Sequence, residues 1–134
     1  MSTILVDNLT GKTSAGDITV TSEGGAATQS LQQGLCKVWI NFDGTGTIAT
    51  RDSFNVSSIS DEGGGLYQYD FSNAMSNANY SGSGMVGEGN NNNNRNMQFG
   101  DTYSTTALDL SCGDGVGSTV DPSVVCSQIF GDLA

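Results

Sequence analysis

Leu35-Cys36-Lys37-Val38-Trp39-Ile40-Asn41-Phe42-Asp43-Gly44-Thr45-Gly46-Thr47 is the stretch that decides the fold. Cys36, Val38, Ile40 and Phe42 are apolar at every second position, with Lys37, Asn41 and Asp43 between them. That is the period of a half-buried β-strand, whereas a helix would spread the same four side chains around its circumference. The end of the strand is written in Asp43-Gly44-Thr45-Gly46, where two glycines allow the positive φ that a hairpin requires. Trp39, the only tryptophan, falls on the polar-leaning face. A second layer or another subunit covers it, or it is a contact residue at the surface.

Downstream, the same alternation recurs between turn signals. Residues 47–50 read as the returning strand, Arg51-Asp52-Ser53 as a break, and 54–59 as the next strand with Phe54 and Val56 on one face. Asp61-Glu62-Gly63-Gly64-Gly65 is the strongest turn signal. After it Tyr67, Tyr69 and Phe71 alternate inward and are expected to pack near Phe54 and Val56 as part of the core. Residues 72–79 read as a loop, and Gly82, Gly84 and Gly87 weaken any strand through Met85 and Val86. Residues 97–99, 107–112 and 124–130 complete the set, with a turn at 113–117. The sum is an all-β chain, an antiparallel β-sandwich or jelly roll of about seven or eight strands over 35–134.

Upstream, residues 1–34 read differently. Ile4, Val6 and Leu9 form one short apolar set, Ile18 and Val20 another, with a polar turn region between them. An isolated hairpin of this size is marginal in water, so the region reads as a short extended attachment arm docked in an oligomer or larger assembly, or else as a frayed tail. Residues 26–33 suit a short helical connector, Leu31 included, ended by a left-handed Gly34.

Composition narrows the function classes. One ordinary domain fits 134 residues. Fourteen acidic residues face four basic ones, for a net charge of −10, which argues against nucleic acid and against an anionic membrane surface as partners. No apolar run approaches the ~20 residues of a membrane span, and the first residues lack the basic and apolar regions of a signal peptide, so synthesis and folding in a cytoplasm are expected. Cys36, Cys112 and Cys126 have no C-x-x-C spacing and read as small buried apolar residues, with a Cys112–Cys126 bridge as the alternative.

Catalytic chemistry is sparse. Without histidine the chain lacks the commonest general base and transition-metal ligand, and no G-x-S-x-G, Ser-x-x-Lys or Walker-type motif occurs. No enzyme activity, cofactor or metal is expected. Asp43 and the Asp61-Glu62 pair offer oxygen ligands for Ca²⁺, but neither matches an EF-hand and both read as hairpin-turn residues. Asn90, Asn91, Asn92, Asn93, Asn94, Arg95 and Asn96 form the one low-complexity segment and read as an exposed, solvated loop.

Residues 31–46, continued by 51–59 and the 61–65 turn, resemble a module of tailed bacteriophages, notably marine ones of the cyanophage type. The opening residues 2–10 and 18–22 resemble the attachment arm of such proteins, and 125–131 their closing strand. The resemblance implies a virion surface protein: a capsid-decoration or head-fibre knob, or a short tail-fibre protein, made in the host cytoplasm and displayed on the particle. Its implied partners are other virion proteins of capsid or tail and further copies of itself, with a trimer favoured. Ile4, Val6, Leu9, Ile18, Val20, Leu31 and Trp39 are then the assembly residues, Trp39 at an intersubunit or arm-to-domain contact. The alternative from another class is a carbohydrate-binding receptor-recognition module in which the Asn-rich loop, Trp39 or Tyr103 meets a host surface glycan.

Overall fold

The alternation that opens the sequence is realised from Val38 onward, whereas Lys37, expected on the polar face, is buried and Cys36 is only half-buried. Val38, Ile40 and Phe42 are fully buried, while Trp39, Asn41 and Asp43 lie on the opposite face of the strand. The computed structural model describes residues 3–88 and 94–134. The chain divides into two compact units, Met1–Leu35 and Cys36–Ala134.

In the first unit, β1 (Thr19–Thr21) and β2 (Thr28–Ser30) form an antiparallel hairpin, and α1 (Leu31–Gly34) is a single turn. Of the helical connector expected over 26–33, only the part from Leu31 on is helical, and Thr28–Ser30 is strand. Gly25, at φ 71°, reverses the chain, Ser22 N–H donates to Ala27 O, and the β1 backbone then offers Thr28–Ser30 a ladder that one helical turn cannot match. The Ser30 side chain caps the turn at Gln33 N–H. Gly34 does not take the left-handed form; the cap is Leu35, at φ −93°.

The second unit is a β-sandwich of eight strands: β3 (Val38–Asp43), β4 (Ala49–Phe54), β5 (Val56–Gly63), β6 (Leu66–Phe71), β7 (Ser81–Gly87), β8 (Asn96–Tyr103), β9 (Ala107–Gly113) and β10 (Val124–Phe130). One sheet has the order β4-β3-β10-β7 and the other β5-β6-β9-β8, every pair antiparallel. The inner rows of both sheets make one core: Val38, Ile40, Phe42, Val125 and Ile129 meet Tyr67, Tyr69, Phe71, Leu108, Leu110 and Cys112. The loop between β6 and β7 adds Met75 and Tyr80 to it. Phe42 and Tyr67 pack edge-on, with ring centroids 4.9 Å apart.

Three local expectations are corrected. The returning strand does not break at residues 51–53; β4 runs through them, and the register shift between Asn41 and Phe42 absorbs the extra residue. Phe54 and Val56 do not share a face. Asn55, at φ 58°, ends β4 and sends the chain into the other sheet, so Phe54 is left 52% exposed outside while Val56 packs on the core. The Asn55 side chain fixes that corner by accepting from the Asn73 N–H and donating to the Asn73 carbonyl. Finally, the glycines of β7 permit the strand rather than weaken it. Gly82 lies against the Phe99 ring and Gly84 against Met97 and the Cys126 carbonyl, where a Cβ would overlap.

Candidate functional site

The outward face of the β4-β3-β10-β7 sheet is built by the residues the core rejects. Register places Phe54, Trp39, Gln128 and Ser83 side by side in one row across the four strands, and Asp52, Asn41, Cys126 and Met85 in the next. Residues paired in an antiparallel sheet point to the same face, so these eight side chains share one surface. Between them lies an open cleft of about 590 Å³, lined by Trp39, Asn41, Ser83, Met85, Cys126 and Gln128, with backbone from Ile40, Gly84 and Ser127. Gln128 and the small Cys126, both on β10, lie between Trp39 on β3 and Met85 on β7. Trp39 is half-buried in it and Met85 is 69% exposed.

Polar atoms in the cleft are pre-positioned. Gln128 Nε2 donates to Ser83 Oγ at 3.1 Å. Arg51, placed outward by the register shift, donates to Asn41 Oδ1, to Asp43 Oδ2 at 3.0 Å and to the Ser123 carbonyl at 2.6 Å. Asp43 in turn accepts from the hydroxyl and N–H of Thr45, and these bonds, with Arg51 beside them, hold its carboxyl below the usual carboxylate range. Asp43 thus makes the turn, as does Asp61, whose Oδ1 accepts from Gly63 N–H. Among the described residues no three His, Cys, Asp or Glu side chains group as a metal set.

A second hollow, about 350 Å³, lies on the outer face of the other sheet and includes Glu62, Asp101 and Asp109. Burial raises the Asp109 pKa, but hydrogen bonds from Gln68 Nε2 and Thr102 to its two oxygens outweigh it and lower the pKa overall. A general acid for glycoside cleavage needs the opposite shift. The Cys112 thiol is buried and pushed up to about 12, first by burial and then by Asp121, which disfavours the reactive thiolate. Cys112 faces the core and Cys126 the outer surface of the opposite sheet, and all three cysteines are free, so the Cys112–Cys126 bridge does not form.

The residues singled out from sequence are scattered by the fold. Ile4, Val6, Leu9 and Val20 are exposed, at 82%, 56%, 62% and 49%, while Ile18 and Leu31 are half-buried. Of these assembly candidates only Trp39 joins the cleft. Asn90, Asn91, Asn92 and Asn93 lie outside the described residues; Asn94 and Asn96 are exposed, and Arg95 pairs with Glu88. Tyr103 belongs to the other sheet, where it stacks on Tyr80 with centroids 4.3 Å apart and donates to the Tyr80 carbonyl. Met85, Gln128 and Cys126 were missed by sequence reasoning. The signal for Gln128 and Cys126 was the outward half of the alternation in β10, and for Met85 the outward position between the inward Gly84 and Val86 of β7, usable only once β10 is known to pair with β3 on one side and β7 on the other.

Comparisons with protein-family models, curated proteins and solved structures find no match for this chain.

Proposed function

We propose that this chain is a non-enzymatic structural protein of a tailed-phage virion, displayed on the particle surface as a capsid-decoration or head-fibre knob or a short tail-fibre protein. The observation that carries the reading is the N-terminal unit. Ile4, Leu5, Val6 and Leu9 expose 56–89% of their surface, in a unit separate from a sandwich with a core of its own. Several adjacent aliphatic side chains left in water mark a surface that a partner removes from it. The resemblance of the opening residues to phage attachment arms names that partner as a capsid or tail protein. Copies then assemble through arm and neighbouring residues, a trimer being the favoured form. The net charge of −10 keeps undocked copies soluble and apart.

The test is particle labelling and binding. The full chain is expected to co-sediment with virions, and immunogold against residues 90–96 to decorate their surface. A chain lacking residues 1–35 is expected to keep the sandwich fold and lose co-sedimentation. A full-length chain that never co-sediments, or an arm-less chain that binds particles equally well, would overturn the reading.

A further inference from the structure

The cleft on the outer face of β3, β10 and β7 has a composition that selects its ligand. We infer that it is a binding site for an uncharged oligosaccharide, with Trp39 as the apolar platform and Asn41, Gln128 and Ser83 as the polar contacts. The inference goes beyond the display role and does not depend on it.

Charge is the first discriminator. The chain carries fourteen acidic residues, yet none lies among the residues lining the cleft, and no basic residue does either. The nearest carboxylate in register, Asp52, sits beside Asn41 at the rim, and Asp43 is committed to Thr45 and Arg51. A cation would have no carboxylate to neutralise it there, and a phosphate or carboxylate ligand would have to displace Arg51 from Asp43 and the Ser123 carbonyl. An uncharged ligand meets no such cost.

Surface chemistry is the second. A sugar ring has apolar C–H faces and a rim of hydroxyls that both donate and accept, so it suits a large aromatic body beside neutral amides and hydroxyls. Trp39, the thioether of Met85 and the Cys126 side chain supply the apolar part. Arg51 occupies Asn41 Oδ1, which leaves the amide NH₂ as the group Asn41 offers, and Gln128, tied to Ser83 through Nε2, offers its oxygen. One donor and one acceptor therefore stand on neighbouring strands, as paired sugar hydroxyls require.

Size is the third. Trp39 and Met85 are two strands apart and offset by two residues along them, a Cα separation of about 12 Å from strand spacing and rise. A volume of about 590 Å³ lies within the range of small-ligand sites. Together they suit a short oligosaccharide lying across β10. Of the glycan contacts the sequence suggested, the reading keeps Trp39 and sets it on the sheet, apart from the Asn-rich loop and Tyr103.

Trp39 is the only tryptophan, so its emission reports on the cleft alone. The full chain is titrated with maltotriose, cellotriose, mannotriose and galactotriose, following fluorescence and calorimetric heat. A saturable emission change with at least one of them, insensitive to salt, is expected. Met85→Glu, at a position already exposed, should weaken binding about tenfold or more, and Trp39→Ala should remove the calorimetric signal, while Val116→Ser, on a remote exposed turn, changes nothing. No saturable response to any of the four sugars overturns the proposal. So does binding that survives Met85→Glu in a folded protein. So does Met85-dependent self-association of the sugar-free chain, which would make a second copy the occupant.

Discussion

Tyr69 and Ser127 reach toward each other across the middle of the sandwich, one from each sheet, with their hydroxyl oxygens 2.9 Å apart. Tyr69 is fully buried and Ser127 is 3% exposed, so neither group has water as an alternative partner. Removing one hydroxyl leaves the other desolvated and unpaired, at about 1–3 kcal/mol. Tyr69→Phe and Ser127→Ala are each expected to cost that much. The double variant removes both polar groups together, so it should cost less than the sum of the singles, with a coupling of about 1–2 kcal/mol. Urea unfolding measures all four proteins, and an unchanged slope against urea would show that the midpoint shifts report stability. The loss is large beside a domain stability of about 5–15 kcal/mol. Spectroscopy gives a second readout: burial pushes the Tyr69 phenol above its usual range, so in the wild type it should ionise only as the fold is lost. Single-variant losses that add to within about 0.5 kcal/mol would refute the pairing and with it this tie between the sheets.

Gly84→Ala is expected to cost about 1–3 kcal/mol in thermal unfolding, because its Cβ would overlap Met97 and the Cys126 carbonyl; Gly87→Ala, 3.8 Å from the Val124 Cβ, is the near-neutral control. Phe42→Ala should cost about 3–5 kcal/mol, whereas Phe54→Ser should stay within about 0.5 kcal/mol, since Phe42 is fully buried and Phe54 half in water. Equal losses from the two would contradict the division of faces at Asn55. In alkali, burial raises the Cys112 thiol from 9.0 and the Tyr80 phenol from 10.0, each to about 12. A raised folded pKa contributes stability that is whole below the unfolded value and lost as pH climbs through the folded one. The unfolding midpoint should therefore hold up to about pH 9 and fall between there and pH 12, with Cys112→Ala delaying the onset of the fall.

Strand positions were legible wherever burial imposes a period of two. Val38 to Phe42, Tyr67 to Phe71 and Leu108 to Cys112 alternate in sequence and are buried at those same positions. What the alternation did not carry is which strand lies beside which. Phe54 and Val56 look like one face of one strand, and only the positive φ of Asn55 separates them into different sheets. Asparagine tolerates that conformation better than most residues, but it appears too often in this chain for a single one to stand out. The β7 glycines mislead for a related reason. A glycine in a strand reads as weakness until Phe99 and Met97 from the opposite sheet are seen to occupy the space its side chain would need.

The same limit explains why the exposed apolar set at residues 4–9 was easier to find in the sequence than the cleft. Ile4, Leu5, Val6 and Leu9 are neighbours along the chain, so their exposure as a group follows from the absence of any local partner. Trp39, Gln128 and Met85 are far apart in sequence and meet only because β10, the last strand, pairs between β3 and β7. Gln128 and Met85 are unremarked alone, an amide and a thioether, and Trp39 stands out only as an aromatic on a polar face. On β3 the residues facing inward secure the sandwich, and the outward Trp39 and Asn41 line the cleft proposed as the sugar site. The outward residues of such a strand are under little demand from core packing, so an indole kept there, half-buried beside two amides and with no charged side chain lining the cleft, is the residue on which the proposed sugar site is tested.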